Sequence, residues 1–221
     1  RPSAVATVSR NAPSQISTTF NIFMNVKVDP DGRVTVGVPT SKAGDHIDLR
    51  AEMDMMRGEE TEILGLFSGN RQARIAEDGI AVLPGTHSKH VRLRHRQVTA
   101  FRTYMTGELF DVLSAHSLLR ASVQPAGGAP SITLLEPAAH EAFVAGVRAS
   151  SFSGLAGSLF QTRVRTVLQN VPPTVNCWFL SGLLIGSELV DLMAQQSDVP
   201  VLLAASEPLN VAYRTAFEIL G

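Results

Sequence analysis

The stretch "AVLPGTHSKHVRL", followed closely by "QVTAFRTYMT", constrains the fold more than any other part of this chain. Two runs rich in branched apolar residues flank Pro84-Gly85-Thr86-His87, and a third follows a short basic gap. That pattern predicts strand, tight turn, strand, strand, an antiparallel meander. The periodicity then changes to 3.6 in "GELFDVLSAHSLL", where Leu109, Val112, Leu113 and His116 fall together and Thr106 is placed as the N-cap. Beyond a "QPAGGAP" joint, Glu141 to Gln169 reads as helix in two pieces, with Phe143, Val147, Leu155, Leu159 and Phe160 as core positions. Pro172-Pro173 breaks it. Phe179 to Met193 predicts a long apolar helix whose Gly182 and Gly186 permit close backbone approach. "PVLLAAS" reads as a short buried strand, and a helix with Pro208 in its first turn closes the chain.

Upstream, a helix is predicted from about Arg57 to Phe67. "NVKVDPDGRVTVGV" alternates on both sides of Asp31-Gly32, a hairpin signal. Residues 1–19 read as loop. The order predicts a mixed α/β protein, and 221 residues suffice for one large or two small domains. A net charge of −1 gives no electrostatic case for nucleic acid or an anionic membrane. The most apolar window, Val175 to Ser187, is broken by Ser181, Gly182 and Gly186 and predicts no membrane span. The lone Cys177 excludes an internal disulfide and predicts an inert buried thiol in a reducing, cytoplasmic compartment. The start at Arg1 leads us to expect a segment upstream.

Two segments carry candidate chemistry. In "PGTHSK", consecutive backbone N–H groups at Gly85 and Thr86, with the Thr86 hydroxyl, form either an ordinary hairpin turn or a cradle for phosphate oxygens. In "RGEETEIL", Glu59 and Glu60 open a helix. Acidic residues there either stabilise the macrodipole by roughly 0.3–1 kcal/mol each or provide a general base. Lys89 leaves the turn as a solvated group or adds charge near a triphosphate. His87 and His90 lie near the turn without a metal-ligand set around them, and no metal residues are assigned.

Six ordered motifs, "MRGEETEILG", "LPGTHSKHV", "FRTYMTGELFDVLSAHSLL", "FVAGV", "LFQTRVRTVL" and "FLSGLLIGSEL", resemble those of the 2-dehydro-3-deoxygalactonokinase family of sugar-acid kinases. The resemblance runs from about Met53 to Gly221. It implies an actin–hexokinase-type (ribonuclease-H-like) lobe: a mixed sheet with a β-meander flanked by helices, the first lobe missing or degenerate. Residues 51–221 would be the second, nucleotide-binding lobe, with a helical insertion around 137–170. Residues 1–50 would be a divergent segment with a hairpin, remnant of or replacement for the first lobe.

The implied reaction transfers the γ-phosphoryl of ATP, with Mg²⁺ arriving on the nucleotide, to the C6 hydroxyl of 2-dehydro-3-deoxy-D-galactonate in D-galactonate catabolism. The resemblance makes Glu59 the base, with Glu60 as supporting residue or runner-up. Gly85, Thr86, Lys89 and Ser206 become nucleotide or phosphate contacts. Arg57, Arg102 and Thr106 become substrate contacts, although Arg57 could equally pair with Glu60 or Glu62. The partner is a small-molecule sugar acid, and a homo-oligomer is left open. The family's opening Asp-x-Gly-Thr loop does not occur in this sequence, and Ala204-Ala205 stand where the family usually has a glycine. One lobe alone is expected to turn over many orders of magnitude more slowly than a whole kinase. The alternative is a catalytically silent kinase-like domain or fragment that binds a sugar acid or a protein.

Overall fold

The computed structural model describes residues 5–8, 25–28, 34–37, 54, 59–68, 78–95, 97–124, 133–195 and 199–221. In chain order the elements are β1 (Val5–Val8), β2 (Asn25–Val28), β3 (Val34–Gly37), α1 (Glu59–Ser68), β4 (Gly79–Leu83), β5 (Ser88–Arg94) and β6 (Gln97–Tyr104). They continue with α2 (Thr106–His116), α3 (Arg120–Val123), α4 (Pro137–Gln169), α5 (Pro173–Gln195), β7 (Val201–Ala204) and α6 (Leu209–Leu220).

The predicted meander is present: β4, β5 and β6 pair antiparallel in sequence, with Leu83 opposite Lys89 and Lys89 opposite Thr103. β7 returns to pair parallel with β4. The predicted hairpin is present as well, β2 and β3 pairing antiparallel with Val28 opposite Val34. The stretch read as loop contains a strand, since β1 pairs parallel with β7. Four residues of Val-Ala-Thr-Val are too short to announce a strand without their partner. The seven-stranded order is β1-β7-β4-β5-β6-β2-β3.

Alternation along the central strands sends successive side chains to opposite faces. Ile80, Val82 and Leu203 pack against Phe143, Leu189, Tyr213 and Phe217, from α4, α5 and α6. Ala81, Leu83 and Val91 pack on the other face against Ile63 and Leu66 of α1. The central sheet is therefore covered by helices on both sides.

α4 does run in two pieces, because Gly154 has φ 65° and ψ 175° inside it. Of its five predicted core positions, Phe143 and Val147 are buried and Leu155 and Leu159 partly so, but Phe160 is 60% exposed. The kink resets the helical phase, so one wheel cannot describe both halves. In α2, Leu109 and Leu113 join the core while Val112 and His116 are exposed. Met105, not Thr106, occupies the N-cap position, and it makes no side-chain cap bond.

α5 runs further than the expected apolar window, and Pro173–Ala194 is long and apolar enough to cross a membrane by length and composition. Most of that length is buried within the fold. Its glycines do permit the expected approach. A Cβ on Gly182 would lie 2.2 Å from the Phe143 carbonyl oxygen, and one on Gly146 of α4 would lie 2.2 Å from that of Phe179. Backbone cannot yield as a side chain can, so Gly182→Val is expected to force α4 and α5 apart and destabilise by about 3 kcal/mol. Thermal denaturation measures this.

Candidate active site

The turn between β4 and β5 does not project freely. The Glu108 N–H donates to the Thr86 carbonyl at 3.0 Å, and His87 Nε2 meets Glu108 Oε2 at 2.5 Å. Gly107 makes this docking feasible, because a Cβ there would stand 2.6 Å from the Gly85 oxygen and 2.7 Å from Thr86 Cα. The turn thus rests on the start of α2, with Gly85 half-buried and Thr86 exposed.

Beside it opens a cavity of about 550 Å³, lined by Pro84, Gly85 and Thr86 of the turn, Gly107 and Phe110 of α2, Trp178 and Ile185 of α5, and Ser206 and Tyr213. Largely apolar walls with a few convergent polar groups are the usual make-up of a small-molecule site, and the volume falls within the usual range. Ser206, exposed just past β7, lies at this cavity. Ala204 and Ala205 are buried in the cores on the two faces of the sheet. Cys177 also lines the cavity, but burial pushes its thiol up to about 11, so it is no nucleophile at neutral pH.

Glu59 is the first residue of α1, on the sheet face opposite α5 and α6. Lys89 is not a solvated surface group: its side chain is 4% exposed, and its Nζ lies 3.3 Å from Glu59 Oε1. The same ammonium reaches the His87 carbonyl at 3.4 Å. One charged group therefore connects the predicted base to the backbone of the phosphate-type turn. Arg57 lies outside the described residues, as does the side chain of Glu60.

Arg102 and Thr106 already have protein partners. Arg102 Nη1 donates to Asp191 Oδ2 at 2.8 Å, and the Tyr104 hydroxyl donates to the same oxygen. Burial, with the hydrogen bond to Asp191, pushes the Tyr104 hydroxyl well above its ordinary value despite the guanidinium beside it. The Thr106 hydroxyl, expected as a cap, donates to Glu188 Oε2 at 2.5 Å.

Glu188 is the principal residue that sequence reasoning missed. It is 3% exposed and accepts from four donors: Ser88 Oγ at 2.6 Å, His90 Nε2 at 2.7 Å, Thr106 Oγ1 at 2.5 Å and the Tyr213 hydroxyl at 2.7 Å. Burial alone would push its carboxyl up. The hydrogen bond and charge of His90, with the hydroxyls of Ser88 and Thr106, outweigh that and hold it below the ordinary carboxylate value. The burial of Tyr213, and after it the charge of the same carboxylate, push that phenol well up. The signal was available: a lone glutamate in "LLIGSELV" is a charge in an apolar helix, and such a charge needs partners.

Asp54 was missed too. Its carboxylate accepts from the Thr103 N–H at 2.5 Å and from the Thr103 hydroxyl at 2.8 Å. Among the described residues, no group of three or more His, Cys, Asp or Glu could hold a metal ion.

A docked backbone turn beside an apolar cavity, with a carboxylate across the sheet, defines an α/β lobe with a small-molecule-sized cleft. Comparison with known proteins narrows this. Residues 12–221 match the family model described as 2-keto-3-deoxy-galactonokinase, and the chain belongs to that family. It is 35% identical over 172 residues to the 2-dehydro-3-deoxygalactonokinase of Escherichia coli (strain K12), covering 76% of this chain and 53% of that protein. It is 37% identical over 175 residues to the "Probable 2-dehydro-3-deoxygalactonokinase DgoK1" of Rhizobium meliloti (strain 1021), covering 78% of this chain and 54% of that one. A crystal structure from Sinorhizobium meliloti bearing the 2-dehydro-3-deoxygalactonokinase name superposes with a TM-score of 0.66 at 31% identity, over 89% of this chain and 62% of that one. The chain spans about half the length of the curated relatives it matches.

Proposed function

We propose that this chain is the nucleotide-binding part of a cytoplasmic sugar-acid kinase of the actin–hexokinase type. It would transfer the γ-phosphoryl of ATP to the C6 hydroxyl of 2-dehydro-3-deoxy-D-galactonate. The observation that carries this reading is the position of the Gly85–Thr86 turn. It borders the 550 Å³ cavity, and the ammonium of Lys89 links its backbone to the Glu59 carboxylate.

In this reading the adenosine occupies the cavity between α2, α5 and Ser206, and the terminal phosphate lies at the turn. Gly85 and Thr86 hold its oxygens through backbone N–H groups and the exposed hydroxyl. Glu59 orients the acceptor hydroxyl and takes its proton as the phosphoryl group moves. Mg²⁺, when bound with the nucleotide, neutralises charge on the phosphate oxygens. Arg57 is the sequence-based candidate for the substrate carboxylate. Arg102 and Thr106, the other sequence-based candidates, are held in place by Asp191 and Glu188.

The test is a coupled assay of the purified chain with MgATP and 2-dehydro-3-deoxygalactonate, alongside calorimetry with each ligand. ATP-dependent formation of the phosphorylated sugar acid is the expected result. Sugar-acid binding without turnover would favour a catalytically silent domain. Binding of neither ligand overturns both.

A further inference from the structure

We propose that Lys89 is a positioning residue for the Glu59 carboxylate and not a ligand of the nucleotide phosphates. This rests on the reading of Glu59 as the base. Three observations carry it. The first is direction. β5 alternates, so Ser88 and His90 turn to the α5 side and bond Glu188, while Lys89 turns to the α1 side and meets Glu59. The cavity walls formed by α5 and by Tyr213 of α6 lie on the side that Lys89 faces away from.

The second is burial. An ammonium that is 4% exposed, 3.3 Å from a carboxylate and 3.4 Å from a carbonyl, would have to abandon both to reach a phosphate. Glu59 is partly exposed, but the buried ammonium itself is held by both contacts, and stripping a buried charge of its partners is strongly unfavourable. The third is register. Lys89 sits opposite Thr103, and Thr103 holds the Asp54 carboxylate through its N–H and its hydroxyl. The chain is therefore tied to β6 at Asp54 and to β5 at Glu59, through one opposed pair of residues on neighbouring strands of the sheet. Those ties locate the Glu59 carboxylate, and the Lys89 ammonium fixes its rotamer.

The experiment compares wild type, Lys89→Met, Lys89→Arg, Glu59→Gln and the Lys89→Met/Glu59→Gln double variant of this chain. MgATP affinity is read by calorimetry, turnover by the coupled assay and folding by circular dichroism. Lys89→Met is expected to keep the MgATP Kd within about twofold of wild type while lowering kcat by roughly tenfold to a hundredfold. Lys89→Arg is expected to restore part of that loss. In the Glu59→Gln background, Lys89→Met is expected to cost no more than about twofold further in kcat.

A Kd weakened tenfold or more, with turnover losses that add in the double variant, overturns the inference and leaves the base assignment standing. Normal turnover of Glu59→Gln overturns both. Should Lys89→Met fail to fold, Lys89→Arg decides on the same split, an intact Kd with reduced kcat supporting the proposal and a weakened Kd overturning it. If the chain binds MgATP without turnover, the Kd of the Lys89 variants alone decides, and a chain that binds no MgATP overturns the inference with the function.

Discussion

Glu59→Gln is expected to slow phosphoryl transfer by about 10²–10⁴-fold, the usual range for loss of a general base, with MgATP affinity within about twofold of wild type. Glutamine preserves the size of the side chain and its place at the start of α1, but an amide cannot accept the hydroxyl proton. The substitution also replaces the partner of the buried Lys89 ammonium, 3.3 Å away, by a neutral group. The assay should therefore be accompanied by a melting curve, so that lost chemistry is separated from lost structure. Turnover within twofold of wild type would remove Glu59 from the mechanism.

Glu188→Ala is expected to destabilise the fold by about 3–5 kcal/mol, against a total stability for ordinary domains of about 5–15 kcal/mol. The substitution leaves four donors from three different elements, β5, α2 and α6, facing a void. In a chain of this size the melting temperature should fall by roughly 10 °C or more. A pH series provides a second reading. Because the Glu188 carboxyl is held below its unfolded value of 4.5, its contribution is present above that value and lost as the pH falls through the folded value. Wild type should lose melting temperature between about pH 5 and the acid limit, and Glu188→Ala should lose less over the same window. Parallel curves for the two proteins would show that Glu188 is not the titrating group.

Much of the scaffold was legible because local rules and tertiary packing agree there. The meander announced itself through alternation around Pro84–His87, and Gly182 with Gly186 announced a close helix pair. Three failures share a physical cause: each depended on a partner distant in sequence. β1 is a strand only because β7 lies beside it. Thr106 looks like a cap until Glu188, 82 positions away, takes its hydroxyl. Lys89 looks solvent-bound until α1 closes over it. In the candidate site, the sequence named Gly85, Thr86 and Ser206, which border the cavity, and Glu59, which meets Lys89. Its supporting carboxylates, Asp54 and Glu188, were not, since an acid alone does not reveal its donors.

The layout of the sheet bears on how the chain can be divided. Residues 1–50 looked separable in sequence, yet their strands lie at both ends of the sheet, β1 against β7 and the β2–β3 ribbon against β6. Cutting the chain near residue 50 would strip both flanks at once, leaving two rows of unsatisfied backbone amides and carbonyls open to other molecules. With them gone, β7 and β6 become the margins in place of β1 and β3, and the eight-residue β6 offers a longer free edge than the four-residue β3, so a trimmed version invites fibrous self-association.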